Sequence, residues 1–372
     1  MKFLIALIGL IVLAGIVLYQ KYPSHIKSIA NPSIEQKSSQ LEKACNENRP
    51  QNLGKYSCYA KELSDIAFQH GSDYAFKVLF DVQKKDLDAK NCHFIAHGIG
   101  WGAYKRNPDD WQNLIATSSA KCSYGAQMGT IEAYAENSGN KITKEFVPTI
   151  CGQNPRSFDC NHAVGHVLLV ETQGDRKEAG ELCYGINIQS QRFACLSGLF
   201  MEHMLAFGLA DHGYVPESRK RDWPNRITEF ENLCREHEGD EATACWREIS
   251  HVAFAKFQHD PKKIFDFCNL APLNEGAKQC KRHSLAEIAG ARKLDLGSLR
   301  SICAIQQPEN DPEFEKDCYL QLVGIKLNFV PAKEARDAVD FCSSLDEEFR
   351  SSCFEKLCQS APEEFKDVCF TR

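Results

Sequence analysis

Apolar residues along this chain first form one continuous run and then recur with helical spacing. The run covers residues 3–19, and its seventeen residues lie at the lower limit for a membrane-spanning helix. No small-x-small cleavage site follows it before Pro23. We therefore predict an uncleaved signal-anchor over residues 1–20 that contacts the membrane through residues 3–19. Cleavage, which would release a secreted protein, is the alternative.

The rest of the chain is predicted to be all-α. Residues 21–40 carry prolines and serines without apolar periodicity, which is typical of a flexible tether. Beyond them, short apolar segments alternate with polar turns, and motifs such as Asp260-Pro261 supply an N-cap followed by a first-turn proline. The expected organisation is N-terminal αα-repeats over 41–210, a loop insertion over 211–225 and C-terminal αα-repeats over 226–372.

Cysteines mark the period of these repeats. One set opens apolar helical segments at spacings of 30 to 38 residues, with one spacing of 50 at the loop insertion. A second set closes the preceding helix. We call the helix before each opening cysteine the A helix and the helix that it opens the B helix. The unit is an αα-hairpin of about 35 residues, and about nine such units are expected to stack into a solenoid.

The same arrangement suggests how the 18 cysteines pair. A cysteine that ends an A helix can be bridged to the one that opens the next B helix, although spacing alone does not determine connectivity. Cys92 and Cys122 open B helices whose A helices lack a cysteine, so they are left for each other. Cys358 and Cys369 then close the C-terminus. The remaining expected pairs are Cys45–Cys58, Cys151–Cys160, Cys183–Cys195, Cys234–Cys245, Cys268–Cys280, Cys303–Cys318 and Cys342–Cys353.

This cysteine usage also indicates a compartment. The chain has no CxxC or CxxCH motif, so zinc ribbons, haem attachment and iron–sulfur clusters are not indicated. An even number of dispersed cysteines fits disulfides formed in an oxidising environment. We therefore expect the globular part to lie outside the cytoplasm, in the periplasm or the extracellular space.

In periodicity and cysteine placement, residues 45–370 resemble disulfide-stapled αα-repeat proteins such as the cysteine-rich Sel1-like group of the tetratricopeptide class. The resemblance implies helical hairpins bridged between their two helices. It also implies a binding surface, so that a protein or peptide ligand on the concave face of the solenoid is expected. It implies no catalytic residue.

Charge argues against one class of partner. The net charge is −6, and the basic cluster at residues 219–221 is too short for a phosphate-binding surface. Nucleic acid is therefore not expected as a partner.

Two copies of a histidine motif stand out among the B helices. Each copy places two histidines at i and i+4, on one face of a helix, and corresponding histidines of the two copies are 69 residues apart. A glutamate on the next B helix repeats after 70 residues. Imidazole and carboxylate ligands together suit iron or zinc, so we predict a transition-metal site. The candidate ligands are His93, His97, His162, His166, Glu132 and Glu202, with the glutamates as ligands or as groups that orient the histidines.

The alternative is that these histidines are duplicated packing residues of a non-enzymatic scaffold. The catalytic residues are unknown. If the metal-binding protein is an enzyme, we expect a metal-dependent oxidoreductase or hydrolase. His251 is interpreted as a vestigial copy of His166, and His283 as a structural residue. Glycines 98, 100 and 102 are expected to allow close helix approach, since no strand precedes them as in phosphate-binding loops.

Overall fold

In the computed structural model, the described part of the chain is helical and contains no β-strand. The structure describes residues 32–47, 55–86, 89, 92–117, 121–139, 142–152, 157–206, 215, 222–291, 301–303, 316–320, 322–323 and 332–360. The helices of the first half are α1 Ile34–Glu47, α2 Lys55–His70, α3 Ser72–Lys85, α4 His93–Arg106, α5 Trp111–Thr117, α6 Gly125–Asn137, α7 Val147–Cys151 and α8 Ser157–Glu171. They are followed by α9 Arg176–Cys183, α10 Gln189–Leu205, α11 Ile227–Arg235, α12 Gly239–Lys256, α13 Pro261–Cys268, α14 Asn274–Ala291, α15 Ala332–Ser344 and α16 Glu347–Ser360.

The predicted alternation of A and B helices is present in these elements. The A helices α1, α7, α9, α11, α13 and α15 each carry the predicted closing cysteine in the last turn, whereas α3 and α5 carry none. Start signals account for the helix boundaries. For example, α13 begins where the Asp260 carboxylate accepts hydrogen bonds from the Lys262 and Lys263 amides, with Pro261 at the first helical position.

Eight predicted disulfides are confirmed. They are Cys45–Cys58, Cys92–Cys122, Cys151–Cys160, Cys183–Cys195, Cys234–Cys245, Cys268–Cys280, Cys303–Cys318 and Cys342–Cys353. Cys358 is also disulfide-bonded, and its predicted partner Cys369 lies outside the described residues. This number of disulfides indicates an oxidising, extracytoplasmic environment.

The N-terminal predictions are only partly covered by the structure. Residues 1–20 lie outside the described residues. Among the described residues, no helix is long and apolar enough to span a membrane. The tether predicted over 21–40 is wrong in its second half, because α1 begins at Ile34. The Ser33 hydroxyl accepts the Gln36 amide, and the buried Ser38 hydroxyl donates to the Asp81 carboxylate at 2.5 Å. Polar contacts to α3 therefore stabilise a helix that apolar periodicity does not reveal.

Most of the loop insertion predicted over 211–225 lies outside the described residues. The described end of this segment enters a 3₁₀ turn, Trp223–Arg226, which leads directly into α11.

Seven B helices pack against one another in chain order: α2, α4, α6, α8, α10, α12 and α14. Each A helix also contacts the B helix that follows it. Apolar side chains such as Trp246, Phe200 and Leu168 are almost completely buried in a core shared by consecutive units. This ordered packing brings equivalent positions of neighbouring B helices face to face.

Glycines allow these helices to approach closely, as predicted for the three glycines of α4. A Cβ atom at Gly98 would lie 1.9 Å from the Ala60 carbonyl oxygen of α2, and one at Gly102 would lie 2.1 Å from the Ser64 oxygen. On the opposite side of α4, a Cβ at Gly100 would lie 2.0 Å from the Ala126 oxygen of α6. Side chains larger than hydrogen would therefore force α4 away from both neighbours.

Glycines of the neighbouring B helices also pack closely against the backbone of the histidines. Gly129 of α6 faces the His97 carbonyl oxygen, which a Cβ would approach to 2.0 Å. Gly198 of α10 faces the His162 carbonyl oxygen, which a Cβ would approach to 1.9 Å. These contacts bring each helix that carries a histidine pair next to the helix that carries the corresponding glutamate.

Replacing Gly98 by alanine should destabilise the protein by about 1–3 kcal/mol, because overpacking of the α2–α4 contact outweighs the higher helix propensity of alanine. Gly180→Ala in α9 is the matched control, since a Cβ there meets no atom within 4 Å. The control should be neutral or stabilising by up to about 1 kcal/mol. Denaturant unfolding of the oxidised proteins measures both changes. Equal effects would contradict the packing explanation.

Candidate metal centre

The first histidine pair lies on the first two turns of α4 and faces α6. The His93 and His97 Nε2 atoms are 3.4 Å apart. The other nitrogen of each ring, Nδ1, contacts a different oxygen atom. His97 Nδ1 lies 3.0 Å from a Glu132 carboxylate oxygen, and His93 Nδ1 lies 3.2 Å from the Cys122 carbonyl oxygen. Trp101 donates its indole N–H to the same glutamate at 3.2 Å.

These contacts determine the tautomers of both rings. A carboxylate and a carbonyl oxygen can only accept, so both Nδ1 atoms carry the proton. In a neutral imidazole the other nitrogen is then an acceptor. When both rings are neutral, the two Nε2 lone pairs of His93 and His97 face each other, and either a proton on His97 or a metal ion between the rings removes their repulsion.

A strained turn places the carbonyl that holds His93. Cys122 has φ 54° and Tyr124 has φ 62°, in the left-handed region that non-glycine residues seldom adopt. The disulfide to Cys92, the residue before His93, anchors this turn to the start of α4. The disulfide therefore holds this turn in the conformation that orients His93, a candidate ligand.

The second pair repeats the arrangement between α8 and α10. The His162 and His166 Nε2 atoms are 3.2 Å apart, and His166 Nδ1 lies 3.0 Å from the Glu202 carboxylate. This copy is more buried, with Glu202 only 2% exposed compared with 30% for the Glu132 side chain. The glutamates of both copies therefore orient one imidazole through Nδ1.

The second copy differs at its other histidine. His162 Nδ1 is buried and has no hydrogen-bond partner, whereas His162 Nε2 also lies 3.4 Å from the Met201 thioether sulfur. A soft sulfur atom is thus placed beside the second pair, where the first pair has none among its described contacts.

Burial and mutual charge perturb these groups. Burial and the neighbouring His97 lower the pKa of His93 to about 3, and burial lowers the pKa of His162 well below its usual value. Burial alone would raise the pKa of Glu132, but His97 and Trp101 lower it to about 2.

A third cluster lies further along the row, on α12 and α14. One ligand atom each from Glu248, His251 and His283 lies within 4.8 Å of the others, so this Glu/His/His cluster could hold a metal. His251 Nδ1 lies 2.9 Å from the Glu287 carboxylate. Among the described residues, no other set of three histidine, cysteine or acidic side chains meets this criterion.

Charges compensate one another in the third cluster. Burial alone would lower the pKa of His251, but Glu287 and Glu248 raise it to about 10. Burial alone would raise the pKa of Glu248, but Arg247 and His283 bring it well below its usual value. Burial and Arg247 lower the pKa of His283 to about 3.

The predicted ligands are thus brought together in two groups rather than one. His93, His97 and Glu132 form one group, and His162, His166 and Glu202 form the other. The six ligand atoms do not converge at one point, because α6 lies between the two helices that carry the histidine pairs. Each glutamate contacts the Nδ1 side of a ring, away from the facing Nε2 atoms.

Sequence reasoning missed Glu248 and Glu287, and it assigned His283 to packing. The spacing offered a signal. His97–Glu132 and His166–Glu202 are separated by 35 and 36 residues, and His251–Glu287 by 36. His251, interpreted as a vestigial copy, therefore has its own glutamate. Glu248 gave no such signal, since its contact with His283 depends on the register between α12 and α14.

Comparisons with protein-family models, curated proteins and solved structures found no match to this chain.

His93 should make the stability of the protein pH-dependent in chelator-treated buffer. Its imidazole titrates near 6.5 when unfolded and near 3 when folded, so the unfolded state binds more protons between these values. Stability contributed by this group is present above the unfolded pKa and decreases as the pH falls, by up to about 1.4 kcal/mol per pH unit.

His93→Gln should therefore reduce the slope of unfolding free energy against pH between about pH 6 and pH 4. Denaturant unfolding at several pH values measures the slope. An unchanged slope would mean that the ring titrates normally in the folded protein.

Proposed function

We propose that this chain is a membrane-tethered, extracytoplasmic helical-repeat protein that binds transition-metal ions through its two histidine pairs. The facing Nε2 atoms of His93 and His97 carry the proposal. Two nitrogen ligands at about 2.0–2.1 Å from a tetrahedral ion are separated by about 3.3 Å. The observed separations of 3.4 Å and 3.2 Å in the two copies match this requirement before any ion binds.

The surroundings of three of the four imidazoles are those of metal-binding histidines. Metal-binding histidines usually donate the second ring N–H to a carboxylate or a backbone carbonyl. Glu132, Glu202 and the Cys122 carbonyl supply these acceptors. Because the pKa of His93 is lowered to about 3, this ring is neutral at neutral pH and its Nε2 lone pair is available to a metal ion. The glutamates are therefore proposed as orienting groups.

We propose one ion for each pair, with water in the remaining coordination positions. Imidazole suits zinc, and it also suits iron, copper and nickel. Of the two ions that the sequence favoured, zinc fits a site whose protein ligands are both nitrogen. The Met201 sulfur beside the second pair extends its range towards softer ions such as copper.

The wider architecture is part of the proposal. Consecutive packing of the B helices and disulfides between A and B helices support a solenoid of αα-hairpins. The apolar run at residues 3–19 supports a membrane tether, and the disulfides support a position outside the cytoplasm. If the pairs bind no metal, the second candidate is a protein- or peptide-binding scaffold with structural histidines.

Metal content of the oxidised full-length protein tests the proposal. After chelation and reloading with Zn²⁺, His93→Ala and His162→Ala should each lower the bound metal by one equivalent, and the double variant by two. His203→Ala is the matched control, because His203 is a histidine of α10 whose ring contacts Phe230 and belongs to neither pair. Wild-type zinc content in the folded double variant would contradict the proposal and favour the scaffold.

Glu132→Gln tests the orienting role. An amide cannot hold the protonated Nδ1 of His97 as a carboxylate does, so Zn²⁺ affinity of the first pair should fall by about 10–100-fold without loss of stoichiometry. Titration of a background with His162→Ala and His283→Gln isolates the first pair, because it also removes a ligand of the Glu248, His251 and His283 cluster. Loss of the whole equivalent would instead make Glu132 a direct ligand, and unchanged affinity would exclude both roles.

A further inference from the structure

We infer that Glu248, His251 and His283 form a third metal site, of the two-histidine, one-carboxylate type with open coordination positions. Its ligands come from α12 and α14, outside the two pairs. The inference therefore does not depend on metal binding by those pairs.

The first support is that the histidine–glutamate motif recurs here with its other histidine on a different helix. The contact between a histidine Nδ1 and a glutamate of the next B helix occurs three times, at 3.0, 3.0 and 2.9 Å. Four residues before His251, however, Arg247 replaces the first histidine of the motif. His283 of α14 supplies the second imidazole instead, with its ring centroid 4.5 Å from that of His251.

The second support is a pair of buried polar atoms that lack well-aligned hydrogen bonds. Glu248 is completely buried, and its Oε2 atom forms an ion pair with His251 Nε2 at 3.4 Å in which neither atom completes a well-aligned hydrogen bond. His283 Nδ1 lies 3.7 Å from the same oxygen. A metal ion between these atoms would displace the His251 proton that faces the carboxylate and would bind the oxygen and the nitrogen directly.

The other atoms of these ligands are already fixed. Ser197 and Arg247 both donate to Glu248 Oε1, so only Oε2 faces the cluster. Glu287 holds His251 through Nδ1, which leaves Nε2 for coordination. His283 Nδ1 lies 3.0 Å from the Ser250 hydroxyl and 3.2 Å from the Arg247 carbonyl oxygen, and binding of a metal ion would replace both contacts and the Nδ1 proton. Carboxylate and serine contacts of this kind orient ligands around bound ions.

The ligand set indicates the class of ion. Two histidines and one carboxylate bind Zn²⁺ in hydrolases and Fe²⁺ in non-haem oxygenases, with positions left for water or substrate. The histidine pairs offer two nitrogens each, so this cluster is the one with the larger number of protein ligands. His251 and His283 are 11% and 15% exposed, so the site is close to the surface.

The test uses the full-length protein with both pairs removed by His93→Ala and His162→Ala. This background should bind one equivalent of Zn²⁺, or of Fe²⁺ when loaded without oxygen, and the two arms identify the preferred ion. Adding Glu248→Gln or His283→Gln should remove that equivalent. The matched control is His237→Gln, because His237 has a glutamate partner at 2.6 Å but belongs to no three-residue cluster among the described residues.

These outcomes test the third site independently of the function proposed above. A background that binds neither ion overturns the inference, whatever the pairs do. Retention of the equivalent in folded Glu248→Gln or His283→Gln also overturns it. If the unmutated protein binds one ion that His283→Gln removes and His93→Ala does not, the third site is supported and the proposal for the pairs fails. Because His283→Gln retains the Arg247–Glu248 contact, it decides the matter if Glu248→Gln does not fold.

Discussion

The close approach of neighbouring B helices is the constraint on which the rest of the structure depends. Gly129 and Gly198 contact the backbone carbonyls of His97 and His162, so these helices are separated by backbone contact rather than by a layer of side chains. Glu132 and Glu202 follow within the next turn of their helices and can therefore reach the imidazoles. Longer separations would leave buried histidines without partners, at a cost of about 1–3 kcal/mol each.

A row of helices this tight would normally be filled with apolar residues, yet polar side chains follow one another along it. The His97–Glu132, His166–Glu202 and His251–Glu287 contacts follow one another from α4 to α14, so ionisable groups lie along the whole row. Burial of so many ionisable groups is tolerated because three histidine–glutamate pairs connect neighbouring helices. Such an arrangement favours bound cations, since the carboxylates outnumber the fixed positive charge of Arg247.

Cysteine spacing made most of the fold predictable, because disulfides require adjacent helix ends and thus report three-dimensional proximity directly. The duplicated histidines and glutamates were predictable because they recur at the same interval along the sequence. Two features were not. Residues 34–40 fold because Ser38 contacts Asp81, a long-range polar contact without local periodicity. Glu248 joins His283 through the register of α12 against α14, which a single sequence does not specify.

The disulfides explain how weakly amphipathic helices can hold such groups in position. Cys92, Cys160 and Cys245 precede His93, His162 and Glu248 by one, two and three residues, so these three candidate ligands lie within one turn of a cross-link. A cross-link restricts the unfolded chain, and loops of this length contribute roughly 3 kcal/mol each in the chain-entropy model. Stability that comes from cross-links relaxes the demand for an apolar core. The B helices can therefore carry unfavourable polar residues at the contact surfaces where a binding site needs them.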